Sequence, residues 1–169
     1  MGAEHEPRLD ERTAWFGAQH EQLREPLLRF LRGLAGQDAD DLAAQVWLEA
    51  FEQLDVLEPD ATRFRRLLFT IARRRVIDHR RRWWQRRVVP CADVTDSADV
   101  AHVSTDQAIA VIRQLPRGQA EVVLLRVVGG FSATEVASIT GRSPGAVRVL
   151  QHRALTRLAG MIDQNWGWE

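Results

Sequence analysis

Apolar residues recur every three to four positions along most of this chain, the period of an amphipathic helix. Leu23, Leu27, Phe30, Leu31 and Leu34 form the first stripe and place a helix over residues 20–34. Gly36 and the acidic turn after it end that helix, and Asp38 or Asp40 is positioned to cap the next one. That second helix spans residues 41–54, with Leu42, Val46, Ala50 and Leu54 inward and Trp47, Glu49 and Phe51 toward its flank or outside. Pro59 and its acidic neighbours make residues 55–63 a loop. A long helix follows over residues 62–84, its inward face made by Phe64, Leu67, Leu68, Ile71 and Ala72. Residues 88–105 then lose the period: they hold Pro90, Asp93, Asp96 and Asp99 and no arginine, as a flexible acidic linker would. Beyond it Ala108, Val111, Ile112 and Leu115 form a stripe that stops at Pro116. Residues 119–128 read as a short helix apolar nearly all round, closed by Gly129 and Gly130. The pattern predicts an all-α chain of two small helical domains, residues 20–87 and 106–160. A lead-in (1–19), loose or marginally helical, precedes them, with Trp15 and Phe16 placed to tuck onto the first. A tail (161–169) with Trp166 and Trp168 follows.

The most heavily punctuated stretch is residues 131–158. Ser132 and Glu135 stand in the spacing that closes a helix N-terminus reciprocally. Val136, Ala137 and Ile139 are the apolar part of the helix they open, and Gly141 breaks it. Ser143 is a good N-cap and Pro144 suits a first helical position. Val147, Leu150, Ala154 and Leu158 then recur at helical spacing, while Arg148, Gln151, His152, Arg153 and Arg157 occupy the opposite face. Two short helices around a tight turn, the second with a basic outer face, make a helix-turn-helix able to enter a DNA major groove. An ordinary helical hairpin with a solvated basic face has the same spacing.

Charge sharpens the picture. The net charge is zero, with 23 basic and 23 acidic residues, and every basic residue besides histidine is arginine. The charges are segregated: residues 1–60 hold 14 acids against 5 arginines, whereas residues 63–87 hold 11 arginines opposed only by Asp78. Guanidinium groups that dense repel one another unless a polyanion or nearby acids compensate. Nucleic acid is one such partner, and ion pairs to the acids of the first 60 residues are the alternative. Cys91 stands alone, which excludes an internal disulfide and a multi-cysteine zinc site. The five histidines show no ligand spacing, so no metal or cofactor is expected. No apolar run is long enough to span a bilayer and the N-terminus is polar and acidic, which predicts a cytoplasmic protein.

Three stretches together resemble the extracytoplasmic-function sigma factors, small initiation subunits of bacterial RNA polymerase. The segment D-A-D-D-L-A-A-Q-V-W-L-E-A-F (38–51) is similar to the region 2 motif that docks on the polymerase core. The segment F-R-R-L-L-F-T-I-A-R-R-R-V-I-D-H-R-R-R (64–82) is similar to the region 2 helix that meets the −10 promoter element. Residues 115–158, from L-P-R-G-Q-A-E through the helix-turn-helix, resemble region 4, which reads the −35 element. The resemblance implies a region 2 bundle and a region 4 helix-turn-helix, with core polymerase (β and β′ subunits), promoter DNA and an anti-sigma protein as partners. It implies no enzymatic activity and no direct membrane contact. By position it assigns Asp40, Asp41, Leu42, Gln45 and Trp47 to polymerase docking. Arg63, Arg73, Arg74, Asp78, His79, Arg81 and Arg82 fall at the −10 surface. Arg142, Ser143, Arg148, Gln151, His152 and Arg153 fall at the −35 surface. Arginine suits guanine and glutamine suits adenine in the major groove, which points to Arg148 and Gln151 as readers. The resemblance also makes residues 55–63 a capture loop for an unstacked base and the acidic linker a segment of the RNA-exit path. The chain departs from the family at Ala44-Gln45, where Gln-Glu is usual. It departs also at Leu67 (usually Trp), at Arg74 (usually Asn), and at Val149 and Leu150, which are often polar. Trp83 and Trp84 either stack on bases or pack against their own domain.

Three other functions compete. A self-sufficient helix-turn-helix regulator would bind duplex DNA tightly alone. A nucleic-acid-processing enzyme would need a catalytic constellation that this chain lacks. A basic amphipathic helix at a membrane surface would need the apolar face of residues 63–87, which the core requires.

Overall fold

The computed structural model describes residues 6–54, 59–86 and 105–165. The linker, residues 55–58 of the expected capture loop, Cys91, Trp166 and Trp168 lie outside them. Helix α1 spans Glu6–Ala35, a 3₁₀ turn covers Gly36–Asp38, and α2 (Ala39–Glu52) and α3 (Ala61–Arg86) complete the first half. The second half holds α4 (Thr105–Arg113), α5 (Arg117–Val123, prolonged by a π-helical turn to Val128), α6 (Ala133–Thr140) and α7 (Pro144–Asn165).

The expected stripes of the first half are the buried ones, whereas in α4 Ala108 is exposed and Ile109 is buried in its place. Leu27, Phe30 and Leu31 of α1, Leu42, Val46 and Ala50 of α2, and Phe64, Leu68, Ile71 and Ala72 of α3 form one core. Asp60 caps α3, its carboxylate accepting from the backbone N–H groups of Thr62 (2.9 Å) and Arg63 (3.1 Å). Asp38 precedes α2 without capping it; its side chain reaches His79 at 3.0 Å instead. Asp40 and Asp41 fall in the first turn of α2, at the positive end of its dipole.

From Glu6 onward the lead-in is fully helical: it is the N-terminal half of α1, one helix of 30 residues that runs through Pro26. Tertiary contacts hold it. Trp15 packs edge-on against Phe64, with centroids 5.2 Å apart, and Phe16 meets Trp47, Phe51 and Phe64 at 5.3–5.8 Å. The Arg12 guanidinium donates to the Leu54 carbonyl at 2.7 Å. Trp47 is therefore half-buried between Phe16 and His20. Glu49 is also drawn in, leaving 12% of its side chain exposed between Arg74 and Arg75.

The two halves share a single hydrophobic core. Phe69 and Val76, absent from the expected inward face of α3, are buried. Phe69 meets Phe131 of the second half edge-on at 5.2 Å. Arg65 of α3 stacks over the Phe131 ring, 4.7 Å from its centroid, and donates to the Gly130 carbonyl at 3.0 Å. Gly33 of α1 lies against Leu124: a Cβ at Gly33 would come within 2.5 Å of a Leu124 methyl carbon. Helix α5 and its π-helical turn are apolar nearly all round but not buried all round. Ala120, Val122, Val123, Leu124 and Leu125 are buried, but Val127 is 70% exposed.

Candidate nucleic-acid interface

The helix-turn-helix forms as its punctuation dictates. The Ser132 hydroxyl accepts from the Glu135 N–H at 3.2 Å, and the Glu135 carboxylate accepts from the Ser132 N–H at 2.7 Å. The Ser132 backbone N–H, and next the Ser132 hydroxyl beside the carboxylate, hold the Glu135 carboxyl below its ordinary pKa, helped by the nearby charges of Arg65 and Arg66. Gly141 ends α6 in the left-handed region at φ +68°, where a side chain would be strained. Ser143 caps α7 by accepting from the Ala146 N–H at 3.1 Å. Val147 and Ala154 are fully buried and Leu150 and Leu158 half-buried, so the inner face of α7 is the predicted one.

The outer face of α7 differs in one respect from the sequence pattern. Ser143, Arg148, His152 and Arg153 are exposed. Gln151 instead lies on the edge next to α5, half-buried, where its Oε1 accepts from Arg126 Nε at 3.1 Å. Arg126 also donates to the Phe131 carbonyl at 2.6 Å, tying α5, the start of α6 and α7 together. One acceptor lone pair of Gln151 is thereby occupied, and its direction is set by the scaffold. Val149 stands in the exposed arc, 49% exposed.

On α3, Arg63, Arg66, Thr70, Arg74, Arg81 and Trp84 follow one another at helical spacing and are all exposed. This stripe is a track of guanidinium groups suited to backbone phosphates. Arg66 was not singled out from the sequence, although its spacing from Arg63 and Arg74 marks it. Arg82 is exposed beside the stripe, and Asp78 is half-buried. Trp83 and Trp84 remain exposed, packed edge-on against each other at 5.1 Å.

Part of the arginine charge is neutralised within the protein. Arg74 and Arg75 pair with Glu49, and Arg63 lies 3.4 Å from Asp60. Arg73 turns the other way. Its Nε reaches Glu121 of α5 at 2.7 Å, and Arg142, from the turn before α7, reaches the same carboxylate at 2.8 Å. Two residues expected at separate promoter elements thus share one acid between the halves.

On α2, Asp40, Asp41 and Gln45 are exposed, and so are the apolar side chains Leu48 (61%) and Phe51 (49%). Leu42 is 2% exposed; it supports this surface from within and is not part of it. Among the described residues no three His, Cys, Asp or Glu side chains converge as a metal site, and no helix is long and apolar enough to cross a membrane.

The described residues thus present a basic helical track, a capped helix-turn-helix and an acid-headed α2 with exposed apolar side chains, and comparison with known proteins decides the family. Residues 20–87 match the family model "Sigma-70 region 2" and residues 105–158 match "Sigma-70, region 4". The chain is 34% identical over 149 residues to the ECF RNA polymerase sigma factor ShbA of Streptomyces griseus, covering 81% of this chain and 78% of that one. It is 33% identical over 157 residues to the ECF RNA polymerase sigma factor SigD of Mycobacterium tuberculosis, covering 84% and 74%. The chain belongs to the ECF RNA polymerase sigma factors. As such it is a transcription-initiation factor that directs RNA polymerase to promoters. In fold it is similar to CnrH, solved in complex with the cytosolic domain of CnrY, with a TM-score of 0.63, 24% identity and coverage of 88% of each chain. It is similar also to the sigma factor RpoE of Bartonella quintana, solved in complex with the anti-sigma factor NepR. There the TM-score is 0.67 at 22% identity, over 85% of this chain and 95% of that one.

Proposed function

We propose that this sigma factor divides promoter recognition between the exposed stripe of α3 and the outer face of α7, and docks on core polymerase through α2. The observation that carries this reading is the placement of the exposed basic side chains. They concentrate on the α3 track and on the one helix whose N-terminus is built as a recognition helix. Arg63, Arg66, Arg74, Arg81 and Arg82 supply phosphate contacts at the −10 element, which set affinity and register without reading sequence. Arg148 and His152 face base edges at the −35 element, Arg148 by the bidentate contact that guanidinium makes with guanine. Ser143 and Arg153 hold the flanking phosphates. Asp40, Asp41, Gln45, Leu48 and Phe51 form a polymerase-facing patch, acidic at its head and apolar at its end. Arg73 and Arg142 become available to DNA only when Glu121 lets them go, so the halves separate as the factor engages polymerase and promoter. An anti-sigma protein is the expected antagonist, as the solved relatives bound to CnrY and NepR are precedents for such a partner. Run-off transcription with purified core polymerase on genomic fragments tests the reading. Defined start sites that depend on this chain are expected. Equal, tight promoter binding with and without core polymerase would instead favour a stand-alone regulator.

A further inference from the structure

Val149 is the sixth residue of α7, in the N-terminal half that a recognition helix presents to base edges. It stands four residues after Gly145, three before His152 and seven before Thr156, so these share one face. All four are exposed. Gly145 places no side chain in the turn before Val149, and a Cβ there would meet only the Ser143 hydroxyl, at 3.9 Å. Val149 is therefore unshielded at the middle of the outer face. Gln151, the residue that sequence alone offers as an adenine reader, is held at the α5 edge by Arg126. An apolar side chain thus stands within the outer face, flanked by His152 on one side and Arg153 on the other. In the major groove one base carries an apolar group, the C5 methyl of thymine.

We propose that Val149 is a specificity-determining residue that reads a thymine methyl group in the −35 element. This rests on the reading that α7 enters the major groove there. The side chain is β-branched and stiff at χ1, so its methyl groups are fixed before contact and favour one base position over its neighbours. The test uses holoenzyme assembled from core polymerase and the full chain. A preferred promoter is first selected from a randomised library. Each thymine of its −35 box is then replaced singly by deoxyuridine, which removes only the methyl group. One such replacement should weaken wild-type holoenzyme about four-fold, the effect of uncovering roughly one methyl group. Val149→Ala holoenzyme should bind the thymine and deoxyuridine promoters equally. Leu155→Ala, a control for an exposed apolar side chain (49%) six residues further along, should keep the wild-type discrimination. A −35 box in which no deoxyuridine matters, or a Val149→Ala factor that still discriminates, overturns the proposal. Selection that enriches a −10 element and no −35 box overturns the placement of α7 in the groove, and Val149 with it.

Discussion

Replacing Glu121 by glutamine removes the carboxylate that Arg73 and Arg142 share across the two halves. The group is well enclosed: 12% of the Glu121 side chain is exposed, against 25% for Arg73 and 32% for Arg142. At an effective dielectric constant near 20, each charge pair at about 4 Å has a Coulomb energy of roughly 4 kcal/mol, and desolvation of the partners cancels much of it. Truncating one member of a fully buried pair costs about 2–5 kcal/mol, and the partial exposure of both arginines lowers that toward the roughly 0–1 kcal/mol of an exposed pair. Glutamine still accepts one hydrogen bond, which places this substitution at about 1–2 kcal/mol. With an m-value near 2 kcal/mol per molar urea, the unfolding midpoint should fall by about 0.5–1 M. A double-mutant cycle with Arg73→Gln isolates the contact, and a coupling energy above about 1 kcal/mol is expected. Because the contact bridges α3 and α5, its loss should also expand the chain. A compact fold of this length has a radius of gyration near 15 Å, and small-angle scattering of the variant should exceed that. A midpoint within about 0.2 M of wild type, additive single effects and an unchanged radius would refute the reasoning.

Gly33→Ala should separate the halves by a different route: its Cβ would come within 2.5 Å of a Leu124 methyl carbon. Alanine also favours α1 by about 1 kcal/mol, so helix content by circular dichroism should hold while the radius of gyration rises. Glu135, its pKa held down by hydrogen bonds from Ser132, stabilises the fold above the ordinary carboxylate pKa of about 4.3. That stability is lost as pH falls through the lower folded value. Glu135→Gln should therefore be less stable than wild type at pH 7, by under about 1 kcal/mol because water screens the group. The deficit should shrink in melts as pH is taken below the ordinary carboxylate range. Asp41→Arg, at an exposed position in the first turn of α2, should weaken co-elution with core polymerase while leaving far-ultraviolet circular dichroism unchanged.

Local patterning settled most of the helices, the caps of α6 and α7 and the fold class of this protein. The period of Leu23–Leu31, the Ser132–Glu135 spacing and the Gly141 break act within a few residues of chain, so the sequence states them directly. The partnership of charges did not follow. Arginine 73 reads like its neighbours Arg74 and Arg75, yet they pair with Glu49 while it crosses to Glu121, 48 residues away. Nothing periodic marks Gln151 as tied to Arg126, or Phe69 as facing Phe131. The lead-in is helical for the same kind of reason: Trp15 and Phe16 find their partners on α2 and α3. Hydrophobic spacing encodes which face of a helix is buried. Which distant group meets it is decided when helices cross, because only then do the reach of the Arg65 guanidinium to Gly130 and Phe131 and the fit of Phe69 against the Phe131 ring come into play.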